Sequence, residues 1–128
     1  MKTFIALLVV CLGCIVMPAR ADVDFAKEIQ PLLEKNCIKC HGPEKQKGGL
    51  RVDSLAALLK GGNDGPVLVK GNAHESSLIQ RLLLPVEDED HMPPEGKPQP
   101  TLAEIVALQW WIDRGAPADG PPAGAAHP

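Results

Sequence analysis

Five consecutive residues carry the strongest chemical signal in the chain: Cys37-Ile38-Lys39-Cys40-His41. The spacing C-x-x-C-H is the attachment pattern of a c-type haem. Side chains three positions apart on a helical turn lie on one side of it, so both thiols can reach the two vinyl groups on one edge of a porphyrin. The following histidine falls beneath the ring, where its imidazole can bind iron. The pattern predicts one covalently attached haem.

Two other kinds of site also use cysteines at the spacing of Cys37 and Cys40. A disulfide-exchange site is expected beside a thioredoxin-like βαβ pattern, and no such pattern surrounds this pair. A structural zinc site needs two further ligands at close spacing, and the neighbouring sequence does not supply them. Haem attachment therefore remains the preferred interpretation.

An iron that transfers electrons without binding gas or peroxide needs a second axial ligand besides His41. Met92 is the only methionine after position 21, and it lies in the stiff sequence Met92-Pro93-Pro94. His/Met ligation is the usual arrangement in cytochromes c, so we predict Met92 as that ligand. A loop methionine in apolar contacts is the alternative. The rival ligands are histidines: His91 first, then His74 and His127.

The start of the chain has the features of a secretory signal. Lys2 precedes an apolar run from Phe4 to Met17, and small residues occupy the −3 and −1 positions of Ala19-Arg20-Ala21. Cleavage is predicted after Ala21, with an uncleaved anchor as the alternative. The run is shorter than the roughly 20 apolar residues of a membrane span. Thioether bonds to haem are made outside the cytoplasm, so we predict an exported protein, periplasmic or extracytoplasmic.

Composition limits what the remainder of the chain can be. The 128 residues carry a formal net charge of −3, and removal of Lys2 and Arg20 makes the rest more acidic. An acidic small domain gives no support to nucleic-acid binding. No segment after the signal is apolar enough to span a bilayer. The chain after the predicted signal has few aromatic residues, so a buried macrocycle would fill an otherwise thin hydrophobic core. They are Phe25, Trp110 and Trp111.

Helices must position these residues, because no strand pattern is strong. Apolar spacing predicts a first helix over 23–35, with a kink or restart at Pro31. A second helix is predicted from Asp53 as N-cap to Lys60, stopped by Gly61-Gly62. A third fits residues 75–84. We therefore predict an all-α fold.

The last helix has the clearest signals. Thr101 and Glu104 form a capping box, and Gly115 is the predicted end. Five prolines exclude a regular helix over 85–100 before it. We divide the chain into a signal at 1–21, a domain at 22–116 and a disordered Pro/Ala/Gly tail at 117–128. The predicted apolar face of the helix consists of Leu102, Ile105, Val106 and Ile112.

Several motifs occur in order from about Phe25 to Ala116: residues 29–33, 37–42, 47–54, 61–66, 92–94 and 111–116. Together they resemble the planctomycete-type cytochrome c domain, a branch of the class I cytochrome c fold. The resemblance implies four or so helices around one haem c bound through Cys37 and Cys40. It also implies His41 and Met92 as axial ligands, with the first and last helices crossing beside the haem.

The combined pattern predicts a monohaem cytochrome that carries single electrons between partner proteins and has no enzymatic activity of its own. Similar domains often lie inside much larger proteins, whereas this chain is nearly all cytochrome, so a free carrier is the simpler expectation. The alternative is a haem peroxidase or gas-sensing subunit with a displaceable sixth ligand. A single C-x-x-C-H excludes a two-haem peroxidase within this chain.

Three further features have a functional and a plain interpretation. Trp110 and Trp111 can donate an indole N–H to a haem propionate, or pack in the core. Arg51 can pair with a propionate or lie exposed. The acidic run at 87–90 can dock a basic partner surface beside the haem edge, bind calcium or be a solvated loop. A calcium loop has a different ligand spacing.

Overall fold

The computed structural model describes Gly13 and residues 23–118. The predicted signal, apart from Gly13, and the predicted tail beyond residue 118 lie outside the described residues. Both therefore stay predictions. In the described part of the chain, no helix is long and apolar enough to cross a membrane.

The first helix, α1, begins as a π-helix over Phe25–Ile29 and continues as an α-helix over Gln30–Asn36. Its first turn is wide because the Gln30 N–H donates to the Phe25 carbonyl, five residues back. Pro31 has no N–H to extend an α-helical ladder through this point, and it occupies the first turn of the α-helical part instead. The predicted restart at Pro31 is confirmed.

The second helix, α2, covers Leu55–Lys60, after a 3-10 turn over Lys47–Gly49. Its N-cap is Ser54, whose Oγ accepts the Ala57 N–H at 3.1 Å, so the predicted Asp53 cap is wrong. The Asp53 carboxylate is instead held by Arg51, at 2.9 Å from Nε and 2.7 Å from Nη2. Gly61 ends α2 as predicted, in the left-handed region at φ 78° that favours glycine.

The third helix, α3, covers Ser77–Leu83 and the fourth, α4, covers Leu102–Asp113. The capping box of α4 is confirmed. The Glu104 N–H donates to Thr101 Oγ1 at 3.1 Å, and the Thr101 N–H donates to Glu104 Oε1 at 3.0 Å. Between the two helices, residues 85–100 form no helix, as predicted.

The buried face of α4 differs from the prediction. Leu102 is 73% exposed and Val106 is 42% exposed, whereas Ile112 is buried as expected. The C-terminal part of α4 packs on α1, where the Trp111 and Phe25 rings lie 5.4 Å apart. The first turn of α4 also meets α1, at the Lys35–Glu104 contact of 2.8 Å. Leu102 and Val106 are exposed because they lie on a different side of the helix from Glu104, Leu108 and Trp111. The residues that α4 buries are Ala107, Leu108, Trp111 and Ile112.

The core joins α1 and α4 to the segments around α2 and α3. Backbone and side-chain bonds hold the segment before α3 to the end of α4: Gly71 N–H donates to the Ile112 carbonyl at 2.8 Å, and Ala73 N–H donates to Asp113 Oδ1 at 2.8 Å. The described residues contain four helices and no sheet, only two isolated bridges. The predicted all-α class is confirmed.

Candidate haem-attachment site

Cys37, Cys40 and His41 lie on a turn that continues directly from α1. The Cys37 N–H donates to the Leu33 carbonyl at 2.8 Å, and the His41 N–H donates to the Cys37 carbonyl at 3.0 Å. The turn thus keeps helix-like hydrogen bonding, which favours both thiols on one side of it. Both cysteines are free and half-buried.

The environment of Cys37 bears on the rival sites. Burial raises the pKa of the Cys37 thiol to about 11, with a smaller contribution from the neighbouring Cys40. The thiol is therefore protonated at neutral pH, whereas a disulfide-exchange site needs a lowered pKa, because the thiolate is the nucleophile. Within 13 and 23–118, no group of three or more His, Cys, Asp or Glu is arranged to hold a metal ion, so zinc gains no support.

The His41 ring is oriented by a backbone carbonyl. Its Nδ1 lies 2.9 Å from the carbonyl oxygen of Lys47, in the 3-10 turn. Only a nitrogen that carries a proton bonds a carbonyl, so the proton belongs on Nδ1 and the lone pair on Nε2. Ligating histidines are commonly fixed in this way through the other ring nitrogen. The sequence does not reveal this partner, because a carbonyl belongs to every residue.

Backbone bonds hold the loop after His41 in place. The Lys47 N–H donates to the Cys40 carbonyl at 2.9 Å, and the Val52 N–H donates to the His41 carbonyl at 2.8 Å. Gly42 packs on the Ile38 carbonyl so closely that a Cβ would collide with it. These contacts make the attachment turn and its loop one backbone-bonded unit.

Met92 lies half-buried on the loop between α3 and α4. Its N–H donates to the Arg81 carbonyl in α3 at 3.3 Å, and its peptide bond to Pro93 is cis. The structure thus places Cys37, Cys40 and His41 in one turn and Met92 on a separate loop, anchored to α3.

The rival ligand His91 is buried and both of its ring nitrogens have oxygen partners. Nδ1 lies 2.9 Å from the Leu84 carbonyl oxygen, and Nε2 lies 2.8 Å from Gln99 Oε1. Neither nitrogen is therefore free to bind iron in this arrangement. Of the weaker candidates, His74 is exposed before α3 and His127 lies outside the described residues.

The two tryptophans have different environments. Trp111 is buried in the core, and its indole N–H donates to the Pro117 carbonyl at 3.0 Å, so it packs in the core and its N–H is already engaged. Trp110 Nε1 is buried without a hydrogen-bond partner in the part of the chain that the structure describes. The propionate hypothesis therefore rests on Trp110. A cavity of about 300 Å³ adjoins it, lined also by Ala73, His74, Val106, Gln109 and Asp113.

Two charged features complete the surroundings. Arg51 is engaged with Asp53, and its hydrogen bonds hold the pKa of the Asp53 carboxyl below its usual value. The acidic run from Glu87 to Asp90 is exposed on the Met92 loop, where Asp88 Oδ1 accepts the Asp90 N–H at 2.9 Å.

The family comparison defines the class of domain. Residues 37–96 match the family described as Planctomycete cytochrome C. The match begins at the C-x-x-C-H turn and includes Met92, so the resemblance seen in the sequence is confirmed over this segment. Membership in a cytochrome c family implies haem c, and Cys37 and Cys40 agree with its attachment pattern.

Among solved structures, the chain is similar to Kuenenia stuttgartiensis hydrazine synthase, with 30% sequence identity and a TM-score of 0.50. The similarity covers 78% of this chain but 17% of that one, so this fold corresponds to a small part of a long protein. No curated protein matches the sequence.

The residues of the attachment turn fit a covalently bound haem. The two thiols are free and are separated by the attachment spacing. The adjacent imidazole uses Nδ1 for the Lys47 carbonyl, which leaves the Nε2 lone pair available to iron. These three conditions are the ones that the cofactor requires of a protein.

Proposed function

We propose that the chain is a monohaem c-type cytochrome that carries one electron at a time. The observation that supports this most directly is the His41 Nδ1 contact with the Lys47 carbonyl, beside two free thiols on the same turn. Cys37 and Cys40 would hold the macrocycle as thioethers, and His41 Nε2 would bind the iron. The bound iron supplies reversible one-electron chemistry.

Met92 is the sixth ligand in this proposal. Two observations support it. The Met92 loop lies within the matched cytochrome segment, and the competing His91 has both ring nitrogens engaged by oxygens. A thioether ligand raises the reduction potential relative to a second imidazole, which suits a carrier that accepts and releases electrons readily.

The partners in this proposal are redox proteins outside the cytoplasm. The predicted signal at 1–21 and the extracytoplasmic formation of thioether bonds support the location. The exposed acidic run at 87–90 supports a partner with a basic docking surface, because charge complementarity steers brief encounters.

A second candidate is a haem unit with a displaceable sixth ligand that works in an enzyme or gas sensor. Its support is the 30% identity to a part of a protein named as hydrazine synthase. The two candidates differ in whether the iron is closed to small ligands.

One experiment tests the class and separates the candidates. The protein is expressed with its signal in a host that exports and matures c-type cytochromes, and its absorption is recorded with and without carbon monoxide. We expect haem that resists acid-acetone extraction and a reduced spectrum that carbon monoxide leaves unchanged. Extractable haem, or none, would refute the cytochrome. Covalent haem that binds carbon monoxide readily would instead favour the second candidate.

A further inference from the structure

The loop that carries Met92 is braced by two polar side chains, His91 and Gln99. His91 is only 5% exposed. Its Nδ1 lies 2.9 Å from the carbonyl oxygen of Leu84, at the end of α3, and its Nε2 lies 2.8 Å from Gln99 Oε1. The imidazole therefore joins the end of α3 to the segment that leads into α4.

The amide of Gln99 continues this connection to the other side of Met92. Gln99 Nε2 donates to the Pro93 carbonyl at 2.8 Å, and it also lies 3.2 Å and 3.3 Å from the carbonyl oxygens of Pro94 and Lys97. Three oxygens around the nitrogen fix the orientation of the amide, so its Oε1 must face His91. We call the connection from Leu84 through His91 and Gln99 to Pro93 the His91–Gln99 bridge.

The bridge supplies a partner that the backbone of this loop does not give to Pro93. Pro93 and Pro94 have no N–H. The Lys97 N–H pairs the Pro94 carbonyl at 3.1 Å, whereas the Pro93 carbonyl is paired by the Gln99 side chain. Met92 itself has one backbone bond, the long 3.3 Å contact of its N–H with Arg81. Buried carbonyls need partners, and the Gln99 amide provides one for Pro93. The shape of the backbone on either side of Met92 thus depends on these two side chains.

We infer that His91 and Gln99 are positioning residues that hold the Met92 sulfur in place for the iron. The inference rests on the Met92 ligation proposed above. Neither residue touches the iron in this role. Each acts through the backbone next to Met92, as residues beyond the direct ligands commonly orient a metal ligand. Loss of the bridge frees the loop, so the sulfur leaves the iron more often and an external ligand can take its place.

The test compares Gln99→Met with Gln80→Met in the haem-loaded protein. Gln80 is a matched control, because its Nε2 also donates to a backbone carbonyl, that of His74 at 3.0 Å, but outside the Met92 loop. Imidazole affinity of the oxidised protein is measured by absorption, together with the weak far-red sulfur-to-iron band. We expect Gln99→Met to bind imidazole about 10-fold more tightly and to weaken the band, whereas Gln80→Met keeps the wild-type values.

A second pair of variants tests the His91 side chain. His91→Phe removes both ring contacts at similar size, whereas His91→Gln keeps a donor toward Gln99. We expect His91→Phe to behave like Gln99→Met and His91→Gln to recover most of the wild-type imidazole affinity. The unfolding midpoint of each variant is recorded in parallel. A role confined to stability would lower the midpoint while imidazole affinity and the band stay unchanged, and that result would overturn the inference. Imidazole affinity and the far-red band can be measured in any of these variants that folds.

Failure of the inference and failure of its premise give different results. If Met92→Ala removes the far-red band but Gln99→Met and His91→Phe both keep wild-type imidazole affinity, Met92 ligation stands and the bridge has no positioning role. If Met92→Ala leaves the band and the affinity unchanged, the ligation itself is wrong and the inference falls with it.

Discussion

The attachment turn and the Met92 loop are stabilised in different ways. The turn, Cys37 to His41, is held mainly by backbone bonds to residues close in sequence, such as Leu33 and Lys47. The loop also has backbone bonds, such as that from the Met92 N–H to Arg81, but the side chains of His91 and Gln99 connect its two ends across proline-rich backbone. Backbone bonds survive most side-chain changes, whereas a side-chain bridge is lost with one residue. The turn should therefore tolerate substitution outside its three reactive residues, and the loop should not.

The largest effect is expected from the reactive residues of the turn. Changing both Cys37 and Cys40 to alanine removes the two attachment points, so covalent haem should fall to none. Folding should also suffer, because the haem fills much of a small core. Haem staining of the denatured protein measures the first effect and circular dichroism the second. Covalent haem in the double variant would contradict the attachment site.

The next effect concerns the loop. Met92→Ala should remove the far-red sulfur-to-iron band, open the iron to small ligands and lower the reduction potential by on the order of 0.1 V, since His/Met ligation raises it. Absorption and potentiometric titration measure these changes. A Met92→Ala protein with an unaltered spectrum, beside an altered His91→Ala protein, would assign the ligand to His91 instead.

A smaller effect is expected where the two regions are connected. Lys35, just before the turn, donates to Glu104 Oε1 at 2.8 Å, just after the loop. The hydrogen bond from Lys35, together with the Thr101 N–H, holds the pKa of the Glu104 carboxyl below its usual value. The folded state therefore prefers ionised Glu104. Its contribution to stability is present at neutral pH and is lost as the pH falls through the lowered pKa.

Glu104→Gln tests this connection, because glutamine keeps the capping acceptor and removes the charge. The pair is partly solvent-exposed, so we expect a loss of about 0.5 kcal/mol in unfolding free energy at pH 7 and none in acid. Glu104→Ala also removes the acceptor for the Thr101 N–H, one of the two bonds of the capping box, and should cost about 1 kcal/mol more. Denaturant unfolding at both pH values measures this, with Glu95→Gln on the exposed loop as control. An equal loss at both pH values would exclude the charge as the cause.

The smallest change to the folded protein is expected at the acidic run of the loop, where the effect is on the rate of electron transfer. Electron transfer to a basic partner should slow as salt rises, because screening over roughly 8 Å weakens the attraction. Changing Glu87, Asp88, Glu89 and Asp90 to their amides should flatten that dependence and leave the haem spectrum unchanged, since all four are exposed. Stopped-flow reduction over a salt series measures it. A wild-type salt slope in the quadruple variant would make the run a solvated loop without a docking role.

The sequence-based predictions succeeded where they depend on neighbouring residues and failed where they depend on tertiary packing. The restart at Pro31, the Thr101–Glu104 capping box and the end of α2 at Gly61 were all confirmed. Each depends on the backbone chemistry of one to four neighbouring residues. The buried side of α4 was in part predicted wrongly, because apolar spacing shows that a face exists but does not decide which side of the helix the rest of the fold covers. Leu102 and Val106 lie on the exposed side.

The sequence by itself determined the attachment motif, the family and the local signals of the helices, because these depend on spacing within a few residues. Only the tertiary structure decided which side chains are already engaged. Arg51 binds Asp53, which was expected to cap α2, and the Pro117 carbonyl accepts the Trp111 indole N–H. The His91 ring contacts the Leu84 carbonyl and the Gln99 amide oxygen. Residues 91 and 99 are separated by a loop that no periodicity describes. Their contact exists because the folded loop brings the two side chains together, with the Gln99 amide oxygen toward His91 and its nitrogen donating to the Pro93 carbonyl.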